Sequence, residues 1–196
     1  MIDEFAKDYL QDDLRWIREG LLSKLDGLSE YDIRRPLTVT GTNLLGLVKH
    51  LTVTEGWYFG EIFGRPSPEP LPRWDDDEAT RACMWVAEHE TRAGIIDGYR
   101  RAWEHSDATI KALPIDAAGY VPWWPRPDVK LFNILVHVIT ETSRHAGHAD
   151  ILREQLDGAV GAGAQSVVLE GRDAAHWDAY RARIERAARA ADPAEA

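Results

Sequence analysis

Apolar residues recur every three to four positions along four long stretches of this 196-residue chain, each closed by glycine or proline. The first stretch runs from about Asp3 to Leu25 and carries Phe5, Leu10, Leu14, Ile17, Leu21 and Leu25 at helical spacing. Acids at its start suit a helix N-terminus, and Gly27 is its stop. The second, capped by Thr40 or Thr42, passes through Leu44, Leu47, Val48, Leu51, Trp57 and Phe59 to about Phe63, where Gly64 and Pro66 end it. The pattern resumes near Glu78–Ala87 and runs more regularly over Glu90–Leu113, with Ile95, Ile96, Tyr99, Trp103 and Ile110. The fourth is capped by Asp128 and reaches about Leu156, with Gly158 beyond it.

Between these stretches the chain is broken by turn formers. GRPSPEPLPRWDDDEA holds Pro66, Pro68, Pro70 and Pro72, which predicts a long connection or lid. PIDAAGYVPWWPRPD is a second irregular segment, and Gly158–Gly171 reads as a linker of small residues. A final helix over Asp173–Ala191 has only a thin apolar face, Trp177, Tyr180 and Ile184, and is expected to pack on the outside or on a partner chain. No alternating strand pattern and no internal repeat is evident. The expectation is all-α: an up-down four-helix bundle in residues 1–160, from helices over about 3–26, 42–63, 90–112 and 129–157. Residues 161–196 would supply the linker and a peripheral C-terminal helix.

Composition narrows the function classes. The net charge is 23 − 33 = −10, and nucleic-acid binding needs the opposite, clustered Lys and Arg. The single cysteine, Cys83, forms no intramolecular disulfide and fits a reducing compartment. The segment MIDEFAKDYLQDD is acidic where a secretory signal is basic and apolar, and no stretch is long enough to span a membrane. A cytoplasmic protein, monomeric or homodimeric, with no membrane or nucleic-acid partner is expected.

The fourth helix carries the chemistry. With about 100° per residue, His137, Glu141, His145 and His148 fall within a stripe roughly 80° wide. Ile134, Val138 and Leu152 flank that stripe, so it faces the core, where three imidazoles and a carboxylate are costly unless paired or bound to a metal. Glu141 and His145 form an i, i+4 pair. His50, mid-helix on an otherwise apolar segment, is the natural third ligand for a zinc site with one open position. His137 or His148 can be a fourth ligand, an orienting partner or a group on the substrate side. The other reading is a hydrogen-bonded polar network without metal. Glu55 lies about 140° around the helix from His50 and should point elsewhere.

Other candidates stand on less. Trp123 and Trp124, in VPWWP just before the fourth helix, can wall a substrate pocket or simply pack. Arg144 and Arg153 lie beside the cluster and can bind an anionic group. Cys83, among alanine and aromatic residues, reads as inert packing. His89, His105 and His176 read as surface residues.

With these residues in place, the chain resembles the DinB-like (YfiT-like) superfamily of metal-dependent helical bundles. ETSRHAGH at Glu141–His148 is similar to that superfamily's H-x-x-x-H-R-G-Q element, with Glu141 and His145 at its ligand positions and His148 at its glutamine position. A Glu-x-x-x-His pair with one further His is the variant of mycothiol-dependent maleylpyruvate isomerase. RRPLTVTGTNLLGLVKHL, GYVPWWPRPDVKL and RHAGHADILRE resemble the actinobacterial mini-circle or mycothiol transferase branch. The resemblance covers about residues 3–160. It implies a bundle with His50, Glu141 and His145 as ligands for a divalent metal, zinc first and nickel as the alternative, and mycothiol as cosubstrate.

Three functions compete on this reading. In the first, a thiol S-transferase, the metal stabilises a thiolate that attacks an electrophilic small molecule. His148 would be its general base, and Trp123, Trp124, Arg144 and Arg153 would be its substrate-binding groups. In the second, a hydrolase, the open position activates water. The third is a non-catalytic metal-binding stress-response protein, which a fourth protein ligand would favour.

Overall fold

A computed structural model describes residues 4–161 and 173–191. The chain divides into two compact units, Met1–Ser166 and Val167–Ala196. The first contains helices α1 (Glu4–Ser23), α2 (Glu30–Arg34), α3 (Leu44–Glu55), α4 (Asp77–Ala82), α5 (Arg92–Ala112) and α6 (Leu131–Asp157). A two-stranded hairpin, β1 (Ala118–Tyr120) and β2 (Asp128–Lys130), precedes α6. The second unit contains α7 (Ala174–Ala190), capped by Asp173, with no buried residue. The expected all-α bundle with an additional C-terminal helix is what the chain forms.

Four helices make the bundle, and two core clusters give their directions. Leu21 and Leu25 at the end of α1 share one cluster with Leu44 and Leu47 at the start of α3, Tyr99 on α5, and Ala149 and Leu152 late on α6. Leu14, Phe59 just beyond α3, Ile110 at the end of α5, and Leu131 and Ile134 at the start of α6 share the other. Helices α1 and α6 therefore run one way and α3 and α5 the other, an up-down-down-up order. Two parallel neighbours in succession need a crossover, and the proline-rich connection from Gly64 to Thr91 supplies it.

That connection lies directly on α3. A Cβ on Gly46 would collide with the Met84 carbonyl, and one on Gly56 would stand 2.7 Å from Leu71 and 2.8 Å from the Ser67 hydroxyl. Glycine at these two positions thus lets the returning chain touch the helix backbone, which brings residues 71–83 over the middle of the bundle.

Several local details differ from the sequence expectation. The cap of α3 is Asn43, whose side chain accepts from the Gly46 N–H, and neither Thr40 nor Thr42 has that place. Beyond Glu55 the helix continues as a π-turn over Gly56–Gly60 and a 3₁₀ turn over Glu61–Phe63, and Gly64 closes it in the left-handed conformation. Asp128 does not cap α6. It pairs with Tyr120 in the hairpin, and α6 starts at Leu131, where the Asn133 side chain accepts from the Lys130 N–H. Three-residue strands are too short to show alternation, so this hairpin left no periodic signal. The short helix α2, capped by Ser29, was likewise too brief to predict. The linker expected at Gly158–Gly171 lies mostly outside the described residues.

Candidate functional site

Helix α6 buries Leu131, Ile134, Leu135, Val138, Thr142, His145, Ala149 and Leu152. Their three- and four-residue steps form one continuous core stripe, and His145 occupies a place on it that leucine would ordinarily fill. Opposite it, α3 is buried along almost its whole length, and His50 is one of its two half-exposed positions.

These two faces bring His50, Glu141 and His145 together. The His145 Nε2 lies 3.0 Å from Glu141 Oε1, and the His50 Nε2 lies 3.7 Å from the same oxygen. The two imidazoles meet edge to face with centroids 4.8 Å apart. One ligating atom from each residue falls within 4.8 Å of the others. Donors held about 2.0–2.2 Å from a tetrahedral ion stand about 3.3–3.6 Å from one another, so the two nitrogen–oxygen separations bracket what an ion would set. Two imidazole nitrogens and one carboxylate oxygen are also a donor set suited to zinc or nickel. The residues fit a divalent metal.

Electrostatics agree with this geometry. Glu141 is held down to about 2, first by the His50 imidazole and then by His145, against a burial effect that raises it. Burial works against a charge on His50, but contacts with Cys83 and Glu141 outweigh it and raise His50 to about 9. His145 is lowered, by burial and by the neighbouring His50 charge. In the metal-free site His50 thus carries a proton beside an ionised Glu141, and His145 tends to neutrality.

Cys83 is the residue that sequence reasoning missed. Its buried sulfur stands 3.3 Å from the Nδ1 of His50, and its thiol donates to the Thr80 carbonyl at 2.8 Å. With the sulfur accepting from Nδ1–H, the ring is turned so that Nε2 faces Glu141, where it presents a lone pair once the second proton is lost. No spacing signal could place Cys83 there, because it arrives from the crossover connection.

The remaining histidines separate. His148 is exposed, its ring 5.4 Å from that of His145. His137, one turn before Glu141, packs against Tyr58 at 4.5 Å and Trp124 at 4.7 Å, and burial lowers its pKa. Trp123 and Trp124 both donate their indole N–H to the Tyr58 hydroxyl at 3.2 Å. Trp123 also walls a cleft of about 720 Å³, while Trp124 turns toward His137. Arg144 is exposed, and its charge reaches His137.

Arg153 lies elsewhere. Its guanidinium is taken by Asp157 and by the carbonyls of Lys24 and Asp26, at 2.9 and 2.8 Å, so it locks the end of α6 to the end of α1. It sits about 12 Å along the helix from His145, and its hydrogen bonds are structural. Glu55 points away from His50, as its helical angle implies, and is sealed against Arg18.

A model of the mycothiol-S-transferase family matches residues 9–158, more than half of the chain. Comparison with curated proteins gives no match. Among the described residues, no helix is long and apolar enough to cross a membrane.

Proposed function

The chain belongs to the mycothiol-S-transferase family, and from that premise we propose that it joins the sulfur of mycothiol to an electrophilic small molecule at a metal held by His50, Glu141 and His145. The single observation that carries this reading is the open three-donor cluster, in which no fourth protein ligand joins His50, Glu141 and His145 among the described residues. A divalent ion there, zinc first and nickel as the alternative, would supply the Lewis acidity that keeps a thiol sulfur deprotonated at neutral pH.

The chain's own residues divide the rest of the work. Cys83 fixes the His50 ring so that Nε2 faces the site. Glu141 contributes negative charge and its carboxylate oxygen. His148, exposed beside His145, is placed to take the thiol proton and pass it to solvent. Arg144, on the same side of α6, suits an anionic or strongly hydrogen-bonding part of the thiol. His137, Tyr58 and Trp124 pack together on the side of the donors nearest the aromatic cleft.

Hydrolysis has less support. A hydrolase of this ligand type also wants a carboxylate base beside the bound water. Glu141 is used as a ligand, and Glu55, the nearest acid along α3, is paired bidentately with Arg18.

The test is metal analysis of purified protein followed by calorimetric titration with mycothiol, glutathione and bacillithiol, and a conjugation assay over a panel of electrophiles. One divalent ion per chain, preferential mycothiol binding and thiol-dependent conjugation are expected. Cleavage of an ester or amide without thiol, together with no thermal shift from saturating mycothiol, would overturn the proposal.

A further inference from the structure

The cleft walled by Trp123 has a chemistry of its own. Trp57, Trp74, Tyr120 and Trp123 line it together with Leu71 and Pro72. The Trp74 and Trp123 rings are 5.3 Å apart and tilted by 31°, and Trp57 lies 5.9 Å from Trp123. The wall is built in advance of any ligand. Trp57 donates its indole N–H to the Pro72 carbonyl at 3.2 Å, which fastens the crossover connection to the helix, and Trp123 is held by Tyr58. A volume of about 720 Å³ is within the range of sites for small organic ligands.

The charges in the lining set the sign of what can enter. Glu61, Glu69 and Asp75 face Arg73 as the lone cation among the lining residues. Arg73 forks onto Asp75 at 2.9 and 2.6 Å, and Arg101, outside the cleft, forks onto Glu69 at 2.5 and 3.2 Å. Each of these guanidinium groups already forks onto a carboxylate, so a ligand anion would meet a lining of net negative charge. Aromatic faces, by contrast, favour flat rings and cations.

A continuous run of packed rings links the cleft to the donors. Trp123 packs on Tyr58 at 5.8 Å, Tyr58 packs on His137 at 4.5 Å, and His137 stands one turn before Glu141. We propose that this cleft is the electrophile subsite, and that it selects a flat aromatic ring system, neutral or cationic, while rejecting anionic ones. The word electrophile rests on the transferase reading above, whereas the selectivity of the cleft stands by itself.

Two measurements on the full chain keep these apart. The first uses unreactive probes, 2-naphthylmethanol and 2-naphthoate, titrated calorimetrically. The alcohol should bind at least about tenfold tighter than the carboxylate, and Trp74→Ala should weaken it by about tenfold, as expected for an aromatic contact. Trp74 is 47% exposed, so the variant should fold. Glu61→Gln should narrow the gap between the two probes. Equal binding of 2-naphthoate, or indifference to Trp74→Ala, would overturn the proposal.

The second measurement uses mycothiol with 2-(bromomethyl)naphthalene or bromoethane. In either reaction an S–C bond forms, the C–Br bond breaks, bromide leaves with the electron pair and the thiol proton goes to solvent. Trp74→Ala should lower kcat/KM for the naphthyl bromide about tenfold more than for bromoethane. Equal losses would overturn the subsite and leave the transferase standing. Ring binding without conjugation of either bromide would overturn the transferase and, with it, the electrophile assignment.

Discussion

Glu55 and Glu141 are both carboxylates held inside the bundle against nitrogen bases, and their surroundings separate a structural cluster from a chemical one. Glu55 has no exposed side-chain surface and receives Arg18 through Nε at 2.8 Å and Nη2 at 2.5 Å. The same guanidinium reaches Asp107 at 2.9 Å and lies over the Trp103 ring. Burial pushes the Glu55 carboxyl up and Arg18 pulls it back; Arg18 itself is raised because Glu55 outweighs its own burial. Arginine keeps its proton, so this cluster has no lone pair left to offer. Glu141, by contrast, keeps a quarter of its side chain exposed and faces two imidazoles. Imidazoles can give up protons and present lone pairs. Burial of charge is common to both clusters, and unspent coordinating capacity belongs to one.

The sharpest way to break this comparison is to remove one member of each cluster. Arg18→Met leaves Glu55 buried without its partner and should cost about 3–5 kcal/mol of stability, read by chemical denaturation. Arg18→Met with Glu55→Leu should recover most of that loss, because an apolar pair of similar volume replaces the ion pair. Glu141→Gln preserves shape at a partly exposed position and should cost only about 1 kcal/mol in metal-free protein, while abolishing stoichiometric metal binding. If Glu141→Gln destabilises as much as Arg18→Met, the two clusters are of one kind and the metal reading fails.

A smaller effect is expected at Cys83. Removing a group that orients a ligand through its second ring nitrogen typically weakens metal binding by about 10–100-fold. Cys83→Ala should do this in a competition titration with a chromophoric chelator, and Cys83→Ser, which restores an acceptor, should recover part of the affinity. The cobalt-substituted absorption spectrum gives a readout that simple packing would not move. It should shift in Cys83→Ala and return toward the wild-type form in Cys83→Ser. An unchanged affinity in both variants would reduce Cys83 to a packing residue.

These clusters were not equally legible in the sequence. His137, Glu141, His145 and His148 lie on one long helix, where 3.6-residue periodicity converts spacing directly into a shared face. His50 was legible because a histidine stands out on a segment of Leu, Val and Thr. Cys83 and Trp74 were not, since their positions depend on how the crossover from Gly64 to Thr91 lies down on α3, and no periodicity encodes that path. The parallel placement of α3 and α5 was hidden for the same reason, because amphipathic stripes say which face is buried and not which way a helix runs. The partner of Glu55 was hidden too. Arg18 reads as an ordinary charge between apolar positions until the fold brings it to α3. Arg153, beside the histidine cluster in sequence, proved to be a helix-end clamp, which only the carbonyls of Lys24 and Asp26 reveal.

The last and smallest effect concerns protons, and it runs in opposite directions for the metal-free fold and for metal uptake. His50 is raised from 6.5 to about 9 in the folded, metal-free protein. A raised folded value means that the protonated ring stabilises the fold fully below about pH 6.5, and that this contribution is lost as pH climbs through about 9. Glu141, lowered to about 2, is ionised across this window and stays neutral to the argument. Metal uptake needs the deprotonated ring, so between about pH 7 and 9 it should release about one proton, and the apparent affinity should rise by about one log unit per pH unit before levelling off. Calorimetry in two buffers of different ionisation enthalpy measures the released proton, and thermal melts of chelator-treated protein measure the opposing loss of stability. Absence of proton release at pH 7.5 would mean that His50 is either neutral in the metal-free site or not a ligand at all. Glu55 and Arg18 should add nothing to it, because that pair stays closed whether or not a metal occupies the histidine site.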